Sequence, residues 1–149
     1  MGADSERVFI IKDSRMKEEK LKITFVCVEN ARRSQMAQGF AEALGQGKLE
    51  VYSAGSQPSS QIDPLVIEVM KEKGIDLSSK QPKGLNDLPP IEMDYLITMG
   101  CKETCPAIPA KRIIEWEIPD PKGKSTDVFR QVRDLIEDKV RALLAEIDF

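Results

Sequence analysis

The sequence predicts an α/β class: a single domain with a four-stranded parallel sheet and helices on both faces. Three observations predict it. From residue 21 onward, short apolar runs alternate with stretches of helical period. Gly45, Gly47, Gly55, Gly74 and Gly100 stand at the ends of those runs, where strands and helices stop. At 149 residues, the chain has the length of one domain with a real core.

The elements follow in order. Residues 23–28 read as a buried strand. The helix that begins near Arg33 carries Met36, Ala37, Phe40, Ala41 and Leu44 on one face and ends near Gly45 and Gly47. Residues 49–54 are a second strand, closed by Gly55. Asp63-Pro64 starts a helix, with Asp63 as N-cap and Pro64 in the first turn; it runs to Lys73 and stops at Gly74. Residues 75–90 are loop-rich, residues 93–99 a third strand, and residues 112–115 a short fourth. The last helix, about 126–147, has apolar residues from Val128 to Ile147 in a sustained 3.6-residue stripe. Residues 1–20 are charged around Val8-Phe9-Ile10-Ile11 and read as an N-terminal extension, expected to be mobile; the domain proper is 21–149.

Composition narrows the function classes. The net charge is −3 and no basic face dominates, so neither nucleic acid nor a membrane is expected as partner. Residues 1–22 do not resemble a signal peptide, and a cytoplasmic protein is expected. No histidine is present, which excludes Ser-His-Asp and Cys-His catalysis. Three cysteines, Cys27, Cys101 and Cys105, are too few for a secreted disulfide scaffold and one ligand short of a closed zinc site. Transient redox chemistry is the better use of them. No cofactor or metal is expected.

The chemistry concentrates at Cys27-Val28-Glu29-Asn30-Ala31-Arg32-Arg33-Ser34, where the first strand gives way to a helix. Five residues between Cys27 and Arg33 let the backbone curl around a tetrahedral anion. The amides of Val28, Glu29, Asn30, Ala31, Arg32, Arg33 and Ser34 are the expected oxyanion-binding set, helped by the helix dipole. Arg33 brings a planar fork for two oxygens of the anion. The same positive field favours a nucleophilic thiolate at Cys27. A buried structural cysteine would leave the placement of Arg33 and Ser34 unexplained.

Two further stretches stand at strand ends, the edge where parallel sheets gather their sites. Asp120 lies between Pro119 and Pro121 after the fourth strand, and a carboxylic acid is the natural proton donor in a chain without histidine. A surface Asp-Pro turn is the plainer alternative. Cys101 and Cys105 are four apart; on a helical turn their Cα atoms stand about 6 Å apart, within disulfide reach.

Together these stretches resemble the low-molecular-weight protein tyrosine phosphatase superfamily, and more closely its thioredoxin-coupled arsenate reductase branch. The likeness covers about residues 22–147. It is carried by the cradle with Gln35-Met36-Ala37, Val51-Tyr52-Ser53-Ala54-Gly55, Lys73-Gly74-Ile75-Asp76, Cys105-Pro106 and Phe129-Arg130-Gln131-Val132-Arg133-Asp134. The resemblance implies that Cys27 is the nucleophile, Arg33 the oxyanion clamp and Asp120 the general acid. It implies that Ser34 hydrogen-bonds the thiolate and that Asn30 holds the loop in a strained shape. Cys101 would attack Cys27, and Cys105 would resolve the disulfide and pass it to thioredoxin or glutaredoxin. The implied substrate is arsenate or a phosphate-like oxyanion, and a monomer is expected. Many such reductases hold potassium beside the cradle. Asn30, Gln38, Ser53 and Lys83 stand at those places here, so the Lys83 ammonium is expected to replace the cation.

The sequence also departs from that pattern. The gap between Cys101 and Cys105 is short, and Glu29 puts a negative charge beside an anion site. Lys122 and Gly123 replace the aromatic pair that phosphatases often carry after Asp-Pro, which favours a small inorganic oxyanion. A phosphatase acting on phosphomonoesters is the second reading. A non-catalytic oxyanion-binding or redox-sensing module is the third.

Overall fold

The computed structural model describes residues 20–100 and 108–147. The expected extension up to residue 19, Cys101 and Cys105 lie outside the described residues. The order of elements is β1 (Leu21–Cys27), α1 (Arg33–Gly45), β2 (Leu49–Gly55), α2 (Pro64–Lys71), a 3₁₀ turn (Leu85–Asp87), β3 (Met93–Thr98), β4 (Ala110–Glu115) and α3 (Thr126–Glu146). The four strands form one parallel sheet in the order β2-β1-β3-β4. A single α/β domain with a four-stranded parallel sheet and helices packed on it is as the sequence predicts.

The alternation of β1 explains its two neighbours. Ile23, Phe25 and Cys27 belong to the large core, where Met36, Ala37 and Phe40 of α1, Val66, Val69 and Met70 of α2, and Phe129, Val132 and Ile136 of α3 meet. Each fully buried large apolar side chain there contributes about 1.5–3 kcal/mol. Val26 points the other way and pairs with Leu96, against Leu85 of the 3₁₀ turn and Ile108. Among the described residues, the sheet therefore carries three α-helices on one face and a 3₁₀ turn on the other.

Element ends differ from the sequence reading by local causes. β4 begins at Ala110 rather than at residue 112, because Ala110 pairs with Met93 and the Pro109 carbonyl accepts from Met93 N. α2 ends at Lys71 rather than at Lys73; Lys73 N and Gly74 N donate three residues back, tightening the last turn. Asp63 caps α2 as expected, its Oδ1 accepting from Leu65 N at 3.0 Å. Ser125 caps α3 through Val128 N. β1, β3 and β4 end at Cys27, Thr98 and Glu115, so the residues after β1 and β4, and Met99 and Gly100 after β3, start from one edge of the sheet.

Candidate active site

The loop from Val28 to Arg32 is fixed from outside by its carbonyls. Cys27 O, Val28 O, Glu29 O and Ala31 O accept from the amides of Ser56, Gln57, Ser59 and Asp63, at 3.3, 2.8, 2.9 and 3.2 Å. In a trans peptide the carbonyl and the next amide point in opposite directions. The amides of Val28, Glu29, Asn30 and Arg32 thus turn inward, and Asn30 N donates to Cys27 Sγ at 3.3 Å. The first intrahelical bond of α1 runs from Met36 N to Arg32 O. The amides of Arg33, Ser34 and Gln35 precede it and belong to the orphan donors of a helix N-terminus. These amides turn toward Cys27 from the same segment that the sequence singles out, and the Ala31 amide is not among those that the carbonyl bonds orient.

Gly55, at the end of β2, is where this loop packs. A Cβ there would stand 2.8 Å from Asn30 N and 3.0 Å from Glu29 C, so only glycine fits. Asn30 adopts a φ of +52°, in the left-handed region that asparagine tolerates better than most residues. Its side chain is held at three points. Asn30 Nδ2 donates to Ser34 Oγ at 2.7 Å, while its Oδ1 accepts from Gln35 Nε2 at 3.0 Å and from Lys83 N at 2.8 Å. Ser34 Oγ lies 2.9 Å from Cys27 Sγ. Because Asn30 already donates into that hydroxyl, its single proton is free to serve a thiolate at Cys27.

Arg33 lies across the loop. It is buried; its Nη1 donates to Ile118 O at 3.0 Å and its Nη2 stands 3.7 Å from Asp120 Oδ2. Gly100, with a φ of +78°, leaves room for the guanidinium, which a Cβ would strike. A groove of about 340 Å³ opens beside it, lined by Gly100 and by Glu115 to Pro119. Cys27, Arg33 and Ser34 of the cradle and Asp120 of the loop after β4, predicted from two stretches of sequence, are thus brought together.

Arg32 departs from the sequence reading. Its amide belongs to the donor ring, but its side chain turns to three carboxylates. Its Nε donates to Asp120 Oδ1 at 3.0 Å, its Nη2 meets Glu29 Oε1 at 3.0 Å, and its Nη1 meets Asp63 Oδ2 at 3.4 Å. Burial works to lower the Arg32 pKa, but Glu29 and Asp120 outweigh it and the net direction is upward. The hydrogen bond from Lys122, reinforced by Arg32, holds the Glu29 carboxyl below its ordinary range against the effect of burial. Lys122 Nζ meets Glu29 Oε2 at 2.8 Å, so the charge of Glu29 is paired on both sides.

The residues expected around a potassium ion are committed to one another. Both lone-pair directions of Asn30 Oδ1 receive N–H donors. Ser53 Oγ donates to Gln38 Oε1, and Gln38 Nε2 donates to Glu42 Oε2 and Val51 O. The Lys83 backbone amide, rather than its ammonium, meets Asn30. This donor set does not fit a resident cation. The sequence reading also missed the roles of the 56–63 segment and Gln35. Gln35 next to Ser34 was a signal only for the family pattern, and its amide proves to be the second brace on Asn30.

Comparisons with known proteins place the chain in a family. The family model described as low molecular weight phosphotyrosine protein phosphatase matches residues 22–148. The glutaredoxin arsenate reductase of Synechocystis sp. is 38% identical over 129 residues, covering 85% of this chain and 98% of its own length. A solved arsenate reductase in a phosphate-binding state superposes with a TM-score of 0.75 at 35% identity, over 85% of this chain and 98% of that one. The thioredoxin-dependent arsenate reductase of Corynebacterium glutamicum superposes with a TM-score of 0.73 at 30% identity, over 98% of this chain and 71% of that one. A cysteine at a strand end, an amide ring closed by an arginine and an aspartate opposite are therefore seated in a chain that belongs to the low molecular weight phosphotyrosine protein phosphatase family, among relatives that are arsenate reductases.

Proposed function

We propose that this chain reduces arsenate to arsenite, with Cys27 as nucleophile. The observation that carries the reading is the placement of Cys27 Sγ against Ser34 Oγ and Asn30 N, inside the amide ring and beside Arg33. The Cys27 thiolate attacks arsenic, forming a sulfur–arsenic bond. Asp120 gives a proton to the departing oxygen, which leaves as water. Arg33 and the amides of residues 28–34 hold the remaining oxygens.

The reduction then follows a relay. The Cys101 thiolate attacks Cys27 Sγ, forming their disulfide. The electron pair of the broken sulfur–arsenic bond stays on arsenic, which leaves as arsenite. Cys105 attacks Cys101 and frees the Cys27 thiolate. A dithiol protein of thioredoxin or glutaredoxin type reduces the Cys101–Cys105 disulfide and supplies the two electrons. The names of the Synechocystis and Corynebacterium relatives support a donor of that class. The reading includes a domain of residues 21–149 with residues 1–20 as extension, a monomer, and a cytoplasmic site. No helix among the described residues is long and apolar enough to cross a membrane.

The second reading is hydrolysis of phosphomonoesters, because Cys27, Arg33 and Asp120 suffice for a phosphocysteine cycle with water. The exposed Lys122 bound to Glu29 disfavours it, since a charged pair stands where an aryl ring would stack. Thioredoxin-coupled arsenate turnover and aryl phosphate hydrolysis, measured on one preparation, test the choice. Reductant-dependent arsenite formation well above phosphate release supports the reductase; phosphate release alone overturns it.

A further inference from the structure

We propose that Arg32 is a positioning residue for proton delivery, fixing which oxygen of Asp120 carries the proton. The proposal rests on the general-acid reading of Asp120 above. Arg32 is only 6% exposed, yet none of its charge is spent on the amide ring. Its guanidinium ties three segments: the cradle through Glu29, the cap of α2 through Asp63, and the loop after β4 through Asp120. Asp63 is itself fixed, because its Oδ1 caps Leu65 N and leaves Oδ2 for Arg32.

The two oxygens of Asp120 are unequal as a result. Oδ1 accepts from Arg32 Nε at 3.0 Å and from Lys122 N at 3.2 Å. An oxygen with two such donors is the poor place for a proton, because a hydroxyl oxygen accepts weakly and its hydrogen would face Arg32. The proton is left to Oδ2, the oxygen turned toward Arg33, whose Nη2 stands 3.7 Å away. In the transfer, the Oδ2–H bond breaks and a bond forms from that hydrogen to the departing oxygen. The carboxylate left behind is already paired with Arg32. Arg32 neither gives nor takes a proton. Among the described residues, the charged groups around the acid are Arg32, Arg33 and Lys122, with Glu29 and Asp63 as the other carboxylates on Arg32.

A double-mutant cycle separates this role from a plain staple. Arsenate turnover is measured for the full chain, Arg32→Gln, Asp120→Asn and the double variant, with thermal melts of each. Loss of a well-placed acid costs about 10²–10⁴-fold, and misplacement by an ångström about 10²-fold. Arg32→Gln is therefore expected to lower kcat by about 10- to 100-fold, with KM within about twofold. In the Asp120→Asn background the same change is expected to cost less than about twofold. Arg32→Lys, which keeps the charge without the fork, should recover part of the rate and serves as the test if Arg32→Gln does not fold. Equal losses in both backgrounds would overturn the proposal in favour of a staple. A raised KM in both would make Arg32 an oxyanion ligand instead. If the unaltered chain hydrolyses phenyl phosphate but leaves arsenate unreduced, the reductase reading fails and the same cycle is read on that ester. If it turns over neither, the acid role of Asp120 fails and this proposal with it.

Discussion

Arg32 and Arg133 are almost equally buried, at 6% and 7% exposure, and each binds more than one carboxylate. They differ in what their partners do. Arg133 of α3 donates to Val69 O at 2.9 Å and to Glu72 at 2.6 Å, and Arg130 grips the same Glu72. That network fastens the end of α2 to α3 and, among the described residues, touches neither Cys27 nor Asp120. Arg32 fastens its segments just as firmly, but one of them carries Asp120, which also faces Arg33. Burial and ion pairing alone do not mark a functional arginine. On the proposed mechanism, the mark is a partner with chemistry of its own.

The comparison can be broken at several strengths. The largest effect belongs to Cys27→Ser. A serine hydroxyl is not ionised near neutral pH and the chain has no histidine to activate it, so arsenate and aryl phosphate turnover should both fall to background. Substantial turnover in that variant would remove the reactive centre on which the distinction depends.

Gly55→Ala comes next. Its Cβ would press on the cradle backbone near Asn30 N, so the loop must shift. Overpacking of this kind costs about 1–3 kcal/mol, and here activity should fall further than stability. Steady-state kinetics beside a denaturant titration would show it; unchanged kcat would mean that the ring is less rigid than its carbonyl bonds imply.

Glu72→Gln tests the other network. Arg130 foremost, then Arg133, brings the Glu72 carboxyl down to about 2 from an ordinary 4.5. A carboxyl depressed in the folded state stabilises above its unfolded pKa and loses that contribution as pH falls through the folded one. The substitution should therefore lower Tm slightly at pH 7, with the gap closing between about pH 4.5 and 2. Arsenate turnover should not change. A matching loss of activity would erase the contrast between the two arginines.

The smallest effect is an expected absence. Asn30 Oδ1 is filled by Gln35 and Lys83 N, and Ser53 donates to Gln38. Replacing sodium by potassium at constant ionic strength should leave kcat/KM unchanged. Strong stimulation would show that these bonds give way to a cation.

What the sequence made legible follows from how each part is built. The cradle comes from one contiguous segment at a strand-to-helix junction, so Cys27, Arg33 and Ser34 could be read from spacing alone. The helices of the core were legible from their periodic apolar faces, as in Val132, Ile136 and Val140 of α3. The Arg32 clamp was not, because two of its three carboxylates lie 31 and 88 positions away and meet only through the crossovers of the sheet. The brace on the cradle was hidden for the same reason: it uses backbone amides of residues 56–63 and 83, which any residue but proline would supply. The ends of α2 and β4 moved with single backbone bonds that composition does not encode.

In the proposed relay, arsenate chemistry at Cys27 passes its oxidation to Cys101. Peptide mass mapping of Cys105→Ser after exposure to arsenate reads that step. A Cys27–Cys101 disulfide should accumulate, with about one arsenite released per chain and little further turnover. Full thioredoxin-coupled turnover in both Cys101→Ser and Cys105→Ser, with no such disulfide, would contradict the relay and put the phosphatase reading ahead.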